Sequence, residues 1–215
     1  MLTLHYWPGY CSLAAHIVLR WIGSPYRLKL ADLDTRQSNA FLRLNPSSTV
    51  PVLVDEDGWA LSQNVAVLRY LAEISPQARL GGEGVRGRAL VNRWLAYINS
   101  DVHKAFSPLM HPERLAVDQD EREQTLDDAR KVLRKHFGVF DKALGERPWI
   151  AGDHRSIADP YLFVLTRWAR ARGVDLGGFD GVNTHFARLC ADPDVCEALA
   201  EEGLAGSEPA ARMEH

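Results

Sequence analysis

The feature that most constrains the fold of this chain is a change of sequence pattern at Gly81-Gly82-Glu83-Gly84. Before this segment, runs that alternate apolar and polar residues are interleaved with runs at helical spacing. After it, apolar residues recur at helical spacing almost throughout, as far as residue 202. The pattern predicts an α/β plus all-α fold, because strands that alternate with helices form a layered domain of their own. The predicted parts are an α/β domain over residues 1–78, a linker over 79–84, a helical domain over 85–204 and a tail over 205–215.

Turn and capping residues set the predicted limits of the elements. A helix that begins at Ser12 is expected to stop at Gly23-Ser24-Pro25. Ser62 is expected to cap the helix over 63–74, and Ser156-Ile157-Ala158-Asp159 is a capping box with a structural role. The predicted strands are 2–6, 26–30, 50–54 and 59–61. The other predicted helices are 85–106, 121–144, 156–172, 182–190 and 193–201.

Composition and charge narrow the class of protein. The formal net charge of −3 gives no electrostatic reason to expect nucleic acid or an anionic membrane as a partner. No apolar run approaches the ~20 residues that a membrane span needs. Cys11, Cys190 and Cys196 are too few and too scattered for a disulfide framework, and no His or Cys spacing indicates zinc. We therefore expect a cytoplasmic protein with no metal, membrane or nucleic-acid partner.

Cys11 is the residue from which a functional interpretation starts. It lies in Pro8-Gly9-Tyr10-Cys11-Ser12, between the first predicted strand and the first predicted helix. The unpaired N–H groups and the dipole at a helix start favour an anion, so they favour the thiolate, which is the nucleophilic form of cysteine. A buried free cysteine that serves only for packing is the alternative.

Two further segments have a binding and a structural interpretation. Val50-Pro51 precedes a strand, and a proline there leaves a neighbouring backbone group free to face a ligand. The bond between these residues is either cis, which would fix that exposure, or trans. Ser62-Gln63-Asn64 begins a helix, where amides and free N–H groups either hold a carboxylate or simply cap the helix.

A polar strip is expected near the end of the long predicted helix over 85–106. Asn99 and His103 lie at the border of its apolar face, and Ser100 and Lys104 point away from that face. A single histidine on a helix is usually a surface or core residue. With these neighbours it could instead form a cationic strip that stabilises a thiolate or a bound anion.

The order of these motifs resembles the cytosolic glutathione S-transferases, and most closely the bacterial beta class, whose catalytic residue is a cysteine. The motifs are P-G-x-C-S at a helix start, N-P-x-x-x-V-P before a hairpin, S-x-x-V-A-V-L-x-Y-L, H-K-x-F-x-P-L and S-I-A-D-P-Y-L. The resemblance covers residues 2–204. It implies a thioredoxin-like domain followed by a helical bundle, a homodimer, and glutathione as the co-substrate with a small apolar electrophile.

The resemblance also assigns roles to individual residues. Cys11 and His103 correspond to the catalytic positions. The implied glutathione contacts are Tyr6, Ser12, Leu33, Val50, Pro51, Gln63, Asn64 and Lys104. The expected electrophile pocket is formed by Tyr10, Phe106, Met110 and Trp168, with His111 nearby.

Three positions depart from the family pattern. Ser47-Ser48 stands where a Lys-Gly pair is common, so a cation for the glycyl carboxylate is expected to be missing. Asn64 replaces a small residue, and Ala96 stands where an asparagine often reaches the partner subunit's site. The expected function is conjugation of glutathione to electrophiles, with thiol–disulfide exchange through Cys11. The alternatives are a non-catalytic glutathione- or ligand-binding protein and a glutathione-dependent dehalogenase or isomerase.

Overall fold

The computed structural model describes residues 1–115 and 118–206. The N-terminal part contains strands β1 (Leu2–Tyr6), β2 (Tyr26–Leu30), β3 (Val52–Val54) and β4 (Ala60–Ser62). Its helices are α1 (Ser12–Ile22), α2 (Leu33–Gln37), α3 (Asn39–Leu44) and α4 (Asn64–Ile74), followed by a 3-10 turn, Pro76–Ala78. The predicted strand–helix–strand–hairpin–helix order is confirmed, and the limits of β1, α1 and β2 agree with the prediction.

The four strands form one mixed sheet in the order β2-β1-β3-β4. β1 pairs in parallel with β2 and antiparallel with β3, so that Leu4 lies between Leu28 and Leu53. The crossover from β1 to β2 is α1, which is the usual connection between parallel neighbours. Because β1 is central, the loop that leaves its end at Tyr6 lies at the middle of one sheet edge. That loop contains Cys11.

The second part is helical, as predicted. Its elements are α5 (Gly84–Tyr97), a π-helical turn (Ile98–Val102), α6 (His103–Ala105), α7 (Ser107–Met110), a 3-10 turn (Pro112–Arg114), α8 (Gln119–Gly145), α9 (Ala158–Ala171), α10 (Asp180–Cys190) and α11 (Pro193–Glu201). α1 contacts both α9 and α11. Almost all of its side chains are therefore buried, since it packs on the sheet side and on the helical side.

Several predicted element limits differ from the structure by one or two residues, and two predictions about helices are wrong. The expected continuous helix over 85–106 changes to a π turn at Ile98, where the N–H of His103 bonds the carbonyl five residues back. π turns of this kind frequently occur at functional sites. Ser62 does not cap α4, because it ends β4; the N-cap is Gln63, whose φ of 74° lies in the left-handed region and whose side chain makes no capping bond.

The capping box before α9 is confirmed. Asp159 accepts hydrogen bonds from the Ser156 N–H at 2.8 Å and from the Ser156 hydroxyl at 2.9 Å. Its other oxygen accepts from the Ile150 N–H at 2.9 Å and lies 2.9 Å from Nε2 of His185. The side chain is thus fully used in fixing the start of α9. Of the predicted tail over 205–215, residues 207–215 lie outside the described residues.

No helix within the described ranges has the length and apolar character needed to cross a bilayer.

Candidate active site

A cavity of about 960 Å³ opens between the sheet edge and the helical part. Its wall contains residues from the β1–α1 loop, from the segment before β3, from the start of α4, and from α5 onwards. The lining residues are Trp7, Tyr10, Cys11, Leu33, Arg36, Ser47, Ser48, Thr49, Val50, Gln63, Asn64, Asn99, His103, His111, Glu113, Arg114 and Tyr161. Residues predicted from separate motifs therefore meet at one place.

Cys11 is the N-cap residue of α1 and is held by a tight loop. Gly9 has a φ of 72°, which favours glycine, and the Tyr10 N–H bonds the Trp7 carbonyl at 3.1 Å. The Ser12 hydroxyl also closes the loop, since it accepts a hydrogen bond from the Trp7 N–H and donates one to the Trp7 carbonyl, both at 3.2 Å. The helix start predicted from the sequence is correct.

The predicted thiolate is not supported by the surroundings of Cys11. The side chain is only 8% exposed, and its sulfur donates a weak hydrogen bond to the Val50 carbonyl at 3.5 Å. Burial raises the pKa of the Cys11 thiol to about 12, against the opposing effect of the N–H groups of Cys11 and Ser12. The loss of water around the sulfur outweighs the helix start. In the ligand-free protein Cys11 is therefore a neutral thiol.

The Val50-Pro51 peptide bond is cis, which answers the question left open by the sequence. Val50 is buried at the edge of the cavity, and its carbonyl points to Cys11. Pro51 is buried and is not one of the lining residues. The strand β3 begins one residue later, so that the backbone next to the sulfur is the start of a sheet strand.

Asn64 is the first residue of α4 and its side chain is unusual. It is 5% exposed, yet neither the oxygen nor the nitrogen of its amide makes a hydrogen bond of good geometry in the described part of the chain. The amide does act on the Tyr161 hydroxyl, whose pKa it lowers against the larger, opposite effect of burial. An amide in this state is costly unless a ligand completes it. Gln63 lines the cavity beside it. A donor and an acceptor are therefore available at the start of α4.

His103 lies across the cavity from the sheet and is bonded to Tyr161. Its Nδ1 is 2.6 Å from the Tyr161 hydroxyl, and that hydroxyl donates to Oδ1 of Asn99 at 3.1 Å. Burial lowers the pKa of His103 to about 4, so the imidazole is neutral at pH 7. The predicted cationic strip is therefore not formed by His103, and Lys104 is exposed and absent from the cavity wall.

The structure brings together some of the predicted site residues and separates others. Those on the wall are Tyr10, Cys11, Leu33, Val50, Gln63, Asn64, His103 and His111. The predicted residues that are not on it are Tyr6, Ser12, Pro51, Lys104, Phe106, Met110 and Trp168. Phe106 and Trp168 are almost fully buried in the core, because their large apolar surfaces pack against each other and the helices. Ser12 is buried because its hydroxyl closes the loop before α1.

Several residues on the wall were not selected from the sequence as site residues, among them Arg36 and Tyr161. Asn99 was expected in the polar strip, but not as the partner of the Tyr161 hydroxyl. Arg36 makes no ion pair with the described residues; its Nε donates to the Asp32 carbonyl at 3.4 Å, and its guanidinium lies 5.6 Å from the Trp7 ring. Arg36 lines the same cavity as Ser47 and Ser48. A cation is thus present near the position where the sequence suggested that one was missing. The arginine side chain comes from α2 instead of the loop before β3.

The cavity does not contain an obvious metal site, since no group of three or more His, Cys, Asp or Glu side chains arranged for a metal occurs in residues 1–115 and 118–206.

Comparisons with known proteins assign the chain to a family. It is 46% identical over 198 residues to glutathione S-transferase GST-4.5 of Xanthomonas campestris pv. campestris, an alignment that covers 92% of this chain and 97% of the relative. The chain belongs to the glutathione S-transferase family. The family models described as glutathione S-transferase N-terminal domain and C-terminal domain match residues 10–74 and 97–193 of this transferase.

Solved structures of other family members have the same fold as this glutathione S-transferase. A glutathione S-transferase from Xylella fastidiosa has a TM-score of 0.91 and 40% identity, covering 95% of this chain and 100% of that one. A sphingomonad enzyme complexed with glutathione has a TM-score of 0.83 and 33% identity, covering 94% and 100%. A bacterial beta class enzyme from Sphingomonas chungbukensis has a TM-score of 0.82 and 34% identity, covering 94% and 100%. The predicted family and fold are confirmed.

Proposed function

We propose that this glutathione S-transferase binds glutathione in the cavity and conjugates it to an electrophile. The observation that carries the proposal is the meeting of Cys11, the Val50 carbonyl, the unpartnered Asn64 amide and neutral His103 on one wall. Each provides a different kind of contact: a thiol, a backbone acceptor, a donor–acceptor pair and a base. Together they match a peptide that contains a thiol.

The placement of the tripeptide follows from these contacts. The cysteinyl backbone N–H is expected to donate to the Val50 carbonyl, in the way that an added strand pairs with a sheet edge. The γ-glutamyl end carries a carboxylate and an ammonium, which suit the amide of Asn64 and the Gln63 position. The glycyl carboxylate lies at the other end, where Arg36 is the expected cation.

The proposed chemistry begins with loss of the thiol proton of glutathione. His103 accepts the proton. The cysteinyl N–H of glutathione replaces the Cys11 S–H as the donor to the Val50 carbonyl, and the neutral Cys11 S–H then donates a hydrogen bond to the glutathione thiolate. The thiolate then attacks an electrophilic carbon, forms the C–S bond and expels the leaving group with its electron pair. Oxidation of Cys11 by glutathione disulfide is the second reaction that this placement allows, and burial of the Cys11 thiol disfavours it.

The remaining predictions follow from family membership. The electrophile is expected to be small and to enter beside Tyr10, where the wall also contains His111 and Arg114. A homodimer and a cytoplasmic location are proposed on the same basis.

The test of the proposed function is turnover of 1-chloro-2,4-dinitrobenzene with glutathione, followed by absorbance of the conjugate. We expect wild-type activity, and a loss of about 100-fold in kcat for His103→Ala, the range found for general bases. Intact mass after incubation with glutathione disulfide, for wild type and Cys11→Ala, separates exchange from conjugation. Glutathione binding by calorimetry without turnover of any electrophile would instead indicate the ligand-binding protein.

A further inference from the structure

The hydrogen bonds around Tyr161 determine which nitrogen of His103 carries its proton. The Tyr161 hydroxyl has one proton, and it donates that proton to Oδ1 of Asn99 at 3.1 Å. The same hydroxyl lies 2.6 Å from Nδ1 of His103. With the hydroxyl proton on Asn99, the hydroxyl accepts from the imidazole and Nδ1 is the protonated nitrogen. A hydroxyl that donated to Nδ1 instead would place the ring proton on Nε2.

The other ring nitrogen faces the cavity. Burial lowers the pKa of His103 to about 4, so at pH 7 the ring carries a single N–H. Nε2 makes no hydrogen bond or ion pair with the described residues. In the described part of the chain, Nδ1 of His5 and Nδ1 of His185 are buried and have no hydrogen-bond partner, whereas Nε2 of His103 has no partner but is not buried. His103 lines the cavity, so its free lone pair is open to whatever the cavity holds.

We propose that Asn99 and Tyr161 are positioning residues that hold His103 in the Nδ1–H tautomer and so make Nε2 the proton acceptor for the glutathione thiol. The inference rests on the proposed function for its substrate, but its structural part does not need turnover. Neither Asn99 nor Tyr161 has to touch the reacting sulfur. Each acts by fixing the proton and the ring orientation of His103, as the hydrogen bond to the distal nitrogen does in many histidine sites.

The proton balance of the step is complete. The proton leaves the glutathione sulfur and binds Nε2, which leaves a thiolate beside an imidazolium whose Nδ1–H still donates to Tyr161. The negative charge of the thiolate raises the pKa of the imidazolium, because an opposite charge at contact favours the charged form. The proton then passes to the solvent or the leaving group, and the neutral Nδ1–H tautomer is restored.

The chain contains a matched control. Tyr97 forms the same kind of bond, with its hydroxyl 2.7 Å from Nδ1 of His136, and neither residue lines the cavity. Tyr97→Phe and Tyr161→Phe therefore delete the same group from the same type of pair. Only the second deletion removes the partner that fixes His103.

Two measurements test the proposal. Long-range ¹H–¹⁵N spectra of ¹⁵N-histidine-labelled protein at pH 7, assigned with His103→Gln, are expected to show His103 protonated at Nδ1. In Tyr161→Phe that signal should shift. The kcat of this variant should fall about tenfold or more, because it loses part of the contribution of a general base. Its KM for glutathione should change less than about twofold. Tyr97→Phe should change neither kcat nor the His103 signal.

Three results would overturn the proposal: a proton on Nε2 of His103 in the wild-type protein, a doubly protonated ring at pH 7, or equal kinetics for the two phenylalanine variants. Circular dichroism and urea unfolding check that Tyr161→Phe is folded, and the wild-type spectrum decides the tautomer without any variant of Tyr161. If wild type turns over no electrophile, the proposed function fails while the spectrum still decides the tautomer.

Discussion

The carboxylate of Glu202 accepts a hydrogen bond of 2.9 Å from the backbone N–H of Gly9. The carbonyl of the same glycine accepts from Nε1 of Trp168 at 2.8 Å, so both backbone polar groups of Gly9 are bonded to the helical part. The other oxygen of Glu202 lies 3.0 Å from Nδ1 of His16 in α1. The loop that precedes Cys11 is therefore held by residues more than 150 positions away in the chain.

Replacement of Glu202 by alanine should destabilise the whole protein. The change removes the acceptor of the buried Gly9 N–H and the partner of Nδ1 of His16, whose Nε2 still contacts Glu201. We expect a loss of about 2–4 kcal/mol in the free energy of unfolding. Urea unfolding measures this loss. Glu197→Ala is the control, because Glu197 is exposed and pairs with Arg20 at the surface, where an ion pair contributes about 1 kcal/mol or less. Equal losses for the two variants would contradict the role given to Glu202.

Arg36→Ala should weaken glutathione binding without changing the chemical step. The guanidinium is on the cavity wall without an ion-pair partner among the described residues, and it is the expected contact of the glycyl carboxylate. Loss of one charge-assisted contact of about 1.5–3 kcal/mol should raise KM for glutathione by about 10-fold or more and leave kcat within about twofold. Arg43→Ala, on the exposed surface of α3, should leave both constants unchanged. A fall in kcat with unchanged KM would place Arg36 elsewhere in the mechanism.

Asn64→Leu should stabilise the ligand-free protein and weaken its binding of glutathione. Its amide is buried without partners, so an apolar side chain of similar shape removes a penalty of about 1–3 kcal/mol. Asn45→Leu is the matched control, because the Asn45 amide is buried but bonded to the Thr49 carbonyl at 2.8 Å and to the Ser47 N–H at 3.1 Å. That variant should be less stable than wild type. Urea unfolding and calorimetric titration with glutathione give the two readouts, and a destabilised Asn64→Leu would show that the amide is satisfied.

The three cysteines should differ in their reaction with N-ethylmaleimide at pH 8. Burial raises the pKa of Cys11 to about 12. It also raises the pKa of Cys190, but the side chains of Cys190 and Cys196 are exposed to the reagent. Since the thiolate is the reactive form, we expect two rapid additions and a third that is at least about tenfold slower. Mass spectra of the digested protein over time identify the slow site. Cys11→Ala should retain only the two rapid additions, and early modification of Cys11 would indicate an accessible thiolate.

The sequence predicted those features that depend on local pattern. Alternation and a following Pro-Gly set the limits of β1, and the serine–aspartate spacing identified the capping box at Asp159. The order of the motifs was sufficient to assign the family, because the motifs follow one another along this chain in the same order as in the glutathione S-transferases. The thiolate at Cys11 was expected from the helix start, which is also local. Burial against Val50 is a tertiary property, and it reverses that expectation.

The polar contacts of the site could not be predicted, since they join distant residues. Tyr161 is 62 positions from Asn99, and no spacing signals that α9 brings its hydroxyl to the π turn. Trp168 is a large aromatic residue of the kind that often lines a pocket, but its indole packs into the core and donates a hydrogen bond to the Gly9 carbonyl. Arg36 was missed because the segment after β2 carries only a weak helical signal, so the direction of its side chain could not be assigned.

The final prediction concerns pH and the stability contributed by a neutral His103. Burial lowers its pKa from 6.5 to about 4 in the folded protein. Between these values the unfolded chain binds more protons than the folded one, so the free energy of unfolding falls as the pH is lowered through this window. From pH 7.5 to pH 5 this group should account for a loss of about 2 kcal/mol. Urea titrations of wild type and His103→Gln at the two pH values isolate the effect of His103. The pKa of His5 is also lowered to about 4, by burial and by the charge of Lys29, but His5 is present in both proteins and its contribution cancels. His103→Gln should lose less stability than wild type over this range, and parallel losses would mean that the imidazole is protonated in the folded protein.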